Sequence, residues 1–61
     1  MAASFEVFKD KKGEYRWRLR HQNGNVIADS GEGYSTKSSC MDGINSVKKI
    51  AESVPVEDQT T

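Results

Sequence analysis

The chain is poor in the residues that build covalently or metal-clipped folds. Of its 61 residues one is cysteine, Cys40, and one is histidine, His21. A disulfide within the chain is therefore excluded. No cysteine and histidine stand at a spacing that zinc sites use, so no metal site is expected. Neither sign of charge is in excess. Nine basic and nine acidic side chains give a formal net charge of zero, so no overall field draws the chain to nucleic acid or anionic lipid. No apolar run approaches the roughly 18 residues of a membrane span, so no membrane partner is expected. The N-terminal "MAASFEVFKDKK" lacks the basic and then apolar leader of a signal peptide. With one free thiol, the expected location is the cytoplasm.

Size sets a further limit. A chain this short buries only about 60% of the surface its unfolded form exposes. Below roughly 70–80 residues one core rarely supplies more than about 3–5 kcal/mol. With disulfide and metal set aside, a partner subunit is the remaining source of stability, and a homodimer is the expectation.

What is present is a pattern of two consecutive hairpins. "SFEVFKDKKGEYRWRLRHQNGNVIADSG", Ser4 to Gly31, alternates along its strands and breaks at turn residues. The first strand is Ser4 to Lys9. Lys11-Lys12-Gly13 fits a three-residue loop, a type I turn closed by a glycine bulge, pairing Asp10 with Glu14. The second strand is "EYRWRLRH". Asn23-Gly24 in "QNGN" is a two-residue hairpin signal, and "NVIADS" is the third strand. These turns place Val7 opposite Trp17, Phe5 opposite Leu19, Leu19 opposite Ala28 and Trp17 opposite Ser30. Phe5, Val7, Tyr15, Trp17, Leu19, Val26 and Ala28 then share one face. Glu6, Phe8, Arg16, Arg18, Arg20, Ile27 and Asp29 share the other, with Glu6 and Asp29 flanking Arg18.

From about Thr36 the period changes. Cys40, Ile44, Val47, Ala51 and Val54 recur at spacings of three and four, one face of a helix. Ser35 or Thr36 is suited to cap it. Gly43 costs about 1 kcal/mol against alanine inside a helix, which points to close approach of another backbone. Pro55 ends the helix. The reading is an α+β fold, a three-stranded antiparallel meander followed by one C-terminal helix packed on the sheet (β-β-β-α). It has one domain, residues 1–54, and a flexible tail, residues 55–61.

Three groupings could carry chemistry. "GEGYSTKSSCMDGINSVKK", Gly31 to Lys49, resembles a phosphate loop but is one residue short, and Thr36 stands where the second glycine belongs. Such sites also need a parallel sheet and a distant aspartate for magnesium. The favoured reading is a glycine-loosened strand exit and a helix cap. A weaker anion site at Ser35, Thr36, Lys37 and Ser38 stays open, since a helix N-terminus favours anions. Arg16, Arg18 and Arg20 alternate with Tyr15 and Trp17, which could mark nucleic-acid binding. Alternation, however, puts the aromatics on the opposite face, where they form no stacking platform with the arginines. A charged ladder of about 0.2–1 kcal/mol per pair is the plainer account. Phe8 and Ile27 beside Arg16, Arg18 and Arg20 make that face a candidate interface.

Cys40 and His21 could form a nucleophile and its base, but His21 sits at a hairpin end and Cys40 early in the helix, nothing places them together, and no third orienting group is evident. A buried thiol is the simpler reading. Glu52, Glu57 and Asp58 lie at the helix end and in the tail, so no acid and base pair stands out. Glu32 and Tyr34 precede the helix, with Tyr34 expected to pack over its start. No catalytic residue, cofactor or small-molecule ligand is identified.

The chain resembles the YegP-like family of small bacterial and archaeal proteins of unknown function. The family pattern FE-x-[YF]-KD appears at Phe5 to Asp10 and GE-[YF]-R-[WF]-RL at Gly13 to Leu19. It continues as NG at Asn23-Gly24, EGY at Glu32 to Tyr34 and GI-x-SVKK at Gly43 to Lys49. Together these cover about Ser4 to Ala51. The resemblance implies a three-stranded antiparallel sheet and one helix per repeat. Some members carry two tandem repeats; this chain has one, which implies that homodimerisation supplies the second. The family has no assigned catalytic residues to carry over. The resulting expectation is a non-enzymatic, cytoplasmic, homodimeric interaction module, joined through sheet edges or an exchanged helix. Nucleic-acid binding through Arg16, Arg18 and Arg20, or anion binding at the helix start, are the alternatives.

Overall fold

A computed structural model describes residues 2–60. Three strands, β1 (Ser4–Lys9), β2 (Tyr15–Arg20) and β3 (Val26–Asp29), precede one helix, α1 (Lys37–Ile50). The sheet is antiparallel in the order β1-β2-β3. The α+β meander with a C-terminal helix is thus the fold.

The first hairpin follows from its turn chemistry. Asp10 N–H donates to the Glu14 carbonyl at 2.9 Å, and Gly13 takes φ +83°, closing the three-residue loop. The Asp10 carboxylate accepts from Lys12 N–H at 2.9 Å and Glu14 N–H at 3.0 Å, which organises the turn locally. Register then places Val7 opposite Trp17 and Phe5 opposite Leu19.

The second hairpin departs from expectation. A two-residue type I′ turn needs positive φ at both central residues, yet only Gly24 adopts it, at +94°. His21 N–H donates to the Asn25 carbonyl at 2.7 Å instead, so Gln22-Asn23-Gly24 forms a three-residue loop like the first. A bulge between Leu19 and Arg20 absorbs the shift. Beyond it Leu19 faces Ala28, and Ser30 N–H reaches the Trp17 carbonyl at 2.9 Å, as the sequence implies. Before it Val26 faces Arg20, not the helix. Val26 is therefore not a core residue, and every residue of β3 is exposed.

Helix α1 packs against β2. Its buried stripe is shorter than the periodicity implies. Trp17, Cys40 and Ile44 are buried, and Phe5, Val7, Tyr15, Tyr34 and Val47 pack around them. Phe5 meets Trp17 edge-on at 5.4 Å, a favourable aromatic geometry. Ala51 is the C-cap and Val54 lies outside the helix, half exposed. The helix stops at Ile50 and does not run on to Pro55. Beyond it the Ile50 carbonyl is shared among Ser53 N–H at 3.0 Å, the Ser53 hydroxyl at 3.1 Å and Val54 N–H at 3.1 Å, a turn in which the side chain competes for the carbonyl.

Gly43 accommodates a side chain, not a backbone. A Cβ there would lie 2.6 Å from Tyr34 Oη, 3.1 Å from its Cζ and 3.5 Å from Trp17 Nε1. Tyr34 is fixed by a two-way backbone bridge to Tyr15, at 2.7 and 2.8 Å. It thus crosses the middle of α1, not its start.

Candidate functional site

The face of the sheet turned away from α1 carries the charged ladder. The Glu6 carboxylate sits between two guanidinium groups. Arg18 Nε donates to it at 2.7 Å, and Arg20 Nε reaches both oxygens at 3.2 Å. Arg20 Nη1 also donates to the Gly24 carbonyl at 2.6 Å, tying the ladder to the second loop. Arg16 Nε donates to Asp10 at 2.7 Å. The Arg18 guanidinium stacks over the Phe8 ring, 4.5 Å from its centroid, a cation–π contact. Phe8 stands opposite Arg16 in the register, and Ile27 lies in the bulged segment, 58% exposed.

These pairs shift their own ionisation. The hydrogen bond from Arg18, then that from Arg20, holds the Glu6 carboxyl below its ordinary range. Arg16 does the same to Asp10, aided by Glu14 and Lys12 N–H, and Asp10 in turn raises Arg16. The side chains remain about one-third exposed at the arginines, so each pair adds little to stability. Its effect is to fix the direction of long side chains on one face.

Asp29 stands opposite Arg18, as the register implies, but among the described residues it forms no ion pair with it. Its carboxylate accepts from Gly31 N–H at 3.0 Å. Gly31, at φ +72°, turns the chain out of β3, which accounts for the first glycine of the phosphate-loop resemblance. Asp10 was the partner of Arg16 that sequence reasoning missed. The signal was there: the Asp10–Glu14 closure brings the turn aspartate beside the next outward residue of β2.

At the helix start, Thr36 is the N-cap. Its Oγ1 accepts from Ser39 N–H at 3.1 Å and donates to Ser39 Oγ at 3.0 Å. Ser35, Lys37 and Ser38 are exposed there. His21 and Cys40 are not brought together. His21 is exposed and its Nδ1 accepts from Asn23 N–H at 3.2 Å, within the loop. Cys40 is fully buried, and burial pushes its thiol up. Among the described residues no cluster of His, Cys, Asp and Glu could hold a metal, no cavity opens, and no helix is long and apolar enough to cross a membrane.

Residues 10–58 match the family described as a domain of unknown function, DUF1508. A solution structure of a protein from Haloferax volcanii superposes with a TM-score of 0.88 at 53% identity, covering 93% of this chain and 95% of that one. A UPF0339 protein of Neisseria meningitidis serogroup B is 44% identical over 54 residues, 88% of this chain and 95% of the relative. A UPF0339 protein of Stutzerimonas stutzeri is 51% identical over 51 residues, which are 84% of this chain but 45% of the relative.

Proposed function

The chain belongs to the DUF1508 family of domains of unknown function, as its YegP-like motifs imply, and we propose that it is a non-enzymatic, cytoplasmic interaction module that works as a homodimer. One observation carries this reading. Strand β3 is exposed at every position although it bears Val26, Ile27 and Ala28, with Val26 at 48% and Ile27 at 58%. An apolar edge strand left open is a ready template for pairing. The surface adjoining it holds Phe8, Arg16, Arg18 and Arg20, the mixture of apolar groups and arginine that interfaces favour. Among the described residues the protomer's own core holds only Trp17, Cys40 and Ile44 as buried hydrophobics, which is little for a stable fold. The Stutzerimonas relative, of which the matched segment is 45%, has room for a second unit of this size in one chain.

Support for the alternatives is weaker. Arg16, Arg18 and Arg20 already donate through Nε to Asp10 or Glu6, so a polyanion would compete with fixed carboxylates. Trp17 is buried and Arg18 covers Phe8, so neither of these rings offers an open platform for base stacking beside the arginines. At the helix start, Thr36 has already taken Ser39 N–H. A reducing cytoplasm suits Cys40 as a free thiol.

Light scattering over a dilution series tests the reading. The expected result is twice the chain mass of 6.8 kDa, persisting to low micromolar concentration. Ile27→Asp should give a folded monomer, because that side chain is exposed in the protomer. A wild-type monomer at high concentration would overturn the proposal.

A further inference from the structure

We propose that the second hairpin loop is a self-modifying site, at which the Asn23 side-chain amide converts without an enzyme to aspartate and isoaspartate. The Gly24 backbone nitrogen attacks Asn23 Cγ, closing a five-membered succinimide. The Cγ–Nδ2 bond breaks and ammonia leaves, carrying the proton lost from Gly24 N–H. Water then opens the ring at either carbonyl. Attack at one restores a normal aspartyl link, and attack at the other routes the main chain through the side chain.

The loop holds the parts of this reaction together. Asn23 is exposed, and glycine follows it, so no Cβ shields the attacking nitrogen. Asn25 N–H donates to Asn23 Oδ1 at 2.9 Å. That bond folds the amide back over the following peptide and polarises the carbonyl where negative charge develops during attack. The same peptide unit presents the Gly24 carbonyl, which receives Arg20 Nη1 at 2.6 Å. A cation on one end of a peptide strengthens donation from the other. The ladder arginine therefore acts on Cγ through one peptide and two hydrogen bonds.

One contact opposes the reaction. Gly24 N–H donates to the His21 carbonyl at 2.8 Å and must be released before attack. A net hydrogen bond of this exposed kind amounts to a brake of about tenfold or less. The other asparagines lack the arrangement. Asn25 is followed by β-branched Val26, and Asn45 lies inside α1.

The product changes the charged face. A chain of zero formal net charge gains one negative charge beside Arg20, which already spans Glu6 and Gly24. The isoaspartyl form also lengthens a loop whose register depends on a compensating bulge.

The test is to incubate the intact chain and a short peptide spanning Arg20 to Ala28 at neutral to mildly alkaline pH, mapping both by mass spectrometry. Expected is a one-mass-unit gain at Asn23, divided between aspartyl and isoaspartyl forms, within about tenfold of the peptide's rate. Asn25 and Asn45 should stay intact, and isoelectric focusing should show a more acidic band. Asn23→Gln should remove that band, because the longer side chain disfavours ring closure. Survival of Asn23 in the folded chain after the peptide has fully converted would overturn the proposal. So would equal conversion at Asn45.

Discussion

Replacing Gly43 by alanine sets two effects of known size against each other. Glycine inside a helix is worse than alanine by about 0.8–1 kcal/mol, so on propensity alone Gly43→Ala stabilises α1. Against this, the new Cβ would lie 2.6 Å from Tyr34 Oη and 3.1 Å from Tyr34 Cζ, well inside the roughly 3.5–4 Å optimum for carbon contacts. Tyr34 cannot simply withdraw, because its backbone is bridged twice to Tyr15. Overpacking of this kind costs about 1–3 kcal/mol. The larger effect wins over most of this range, and the variant should lose up to about 2 kcal/mol net. In a domain of this size that is roughly 4–8 °C of Tm per kcal/mol. Thermal or urea unfolding at one fixed protein concentration reads it, since association would make Tm concentration-dependent. Tyr34→Phe removes the nearest atom and leaves Cζ, so adding Gly43→Ala to that variant should cost less than in the wild type, a coupling between neighbours. A Gly43→Ala chain more stable than wild type would refute the reasoning, because it would show that Tyr34 is not seated on Gly43.

Other expectations test separate contacts. Thr36→Ala should cost about 1 kcal/mol through loss of the cap on Ser39 N–H, with Thr36→Ser restoring most of it in urea unfolding. Glu6 and Asp10 have folded-state pKa values below their unfolded ones, so their contribution is complete above the unfolded carboxylate range near 4 and fades as pH falls through the folded values. Tm measured from pH 6 down should therefore fall on the acid side, and Glu6→Gln with Asp10→Asn should flatten that limb. Cys40 is wholly buried with its thiol pushed up, so a thiol reagent should label it at the rate of unfolding; fast labelling of the folded chain would contradict its placement.

Local rules decided how much of this was legible in the sequence. The first hairpin could be read residue by residue because Asp10, Gly13 and the strand alternation all specify the same loop. The other hairpin carries the stronger turn signal and was nonetheless harder to read. Asn23-Gly24 admits both a two-residue and a three-residue loop, and only the φ of Asn23 separates them. That choice moved Val26 off the core face. Cys40, Ile44 and Val47 could be found from period alone, whereas Ala51 and Val54 continue the period past Ile50, where the chain passes into a turn in which the Ser53 hydroxyl shares the Ile50 carbonyl. The Glu6–Arg18 contact follows from register, but Asp29 shares that register and turns to Gly31, a local hydrogen bond that pairing rules do not contain. For the proposed interface, alternation placed Phe8, Arg16, Arg18, Arg20 and Ile27 on the outer side of the sheet. The exposure of the whole of β3 depends on how far α1 reaches, which periodicity does not encode.

Trp17 is the sole tryptophan, and it lies where helix meets sheet, in one buried cluster with Cys40 and Ile44 and edge-on to Phe5. Its indole N–H is buried and has no hydrogen-bond partner among the described residues. The molecule therefore carries its own optical reporter. Emission from this ring should be blue-shifted and partly quenched by the neighbouring thiol while α1 stays docked, and both properties should change when the helix lifts, even with the hairpins intact. Fluorescence would then follow undocking of the helix, and circular dichroism the loss of backbone structure. If the two transitions coincide, the helix and the meander unfold as a single cooperative unit.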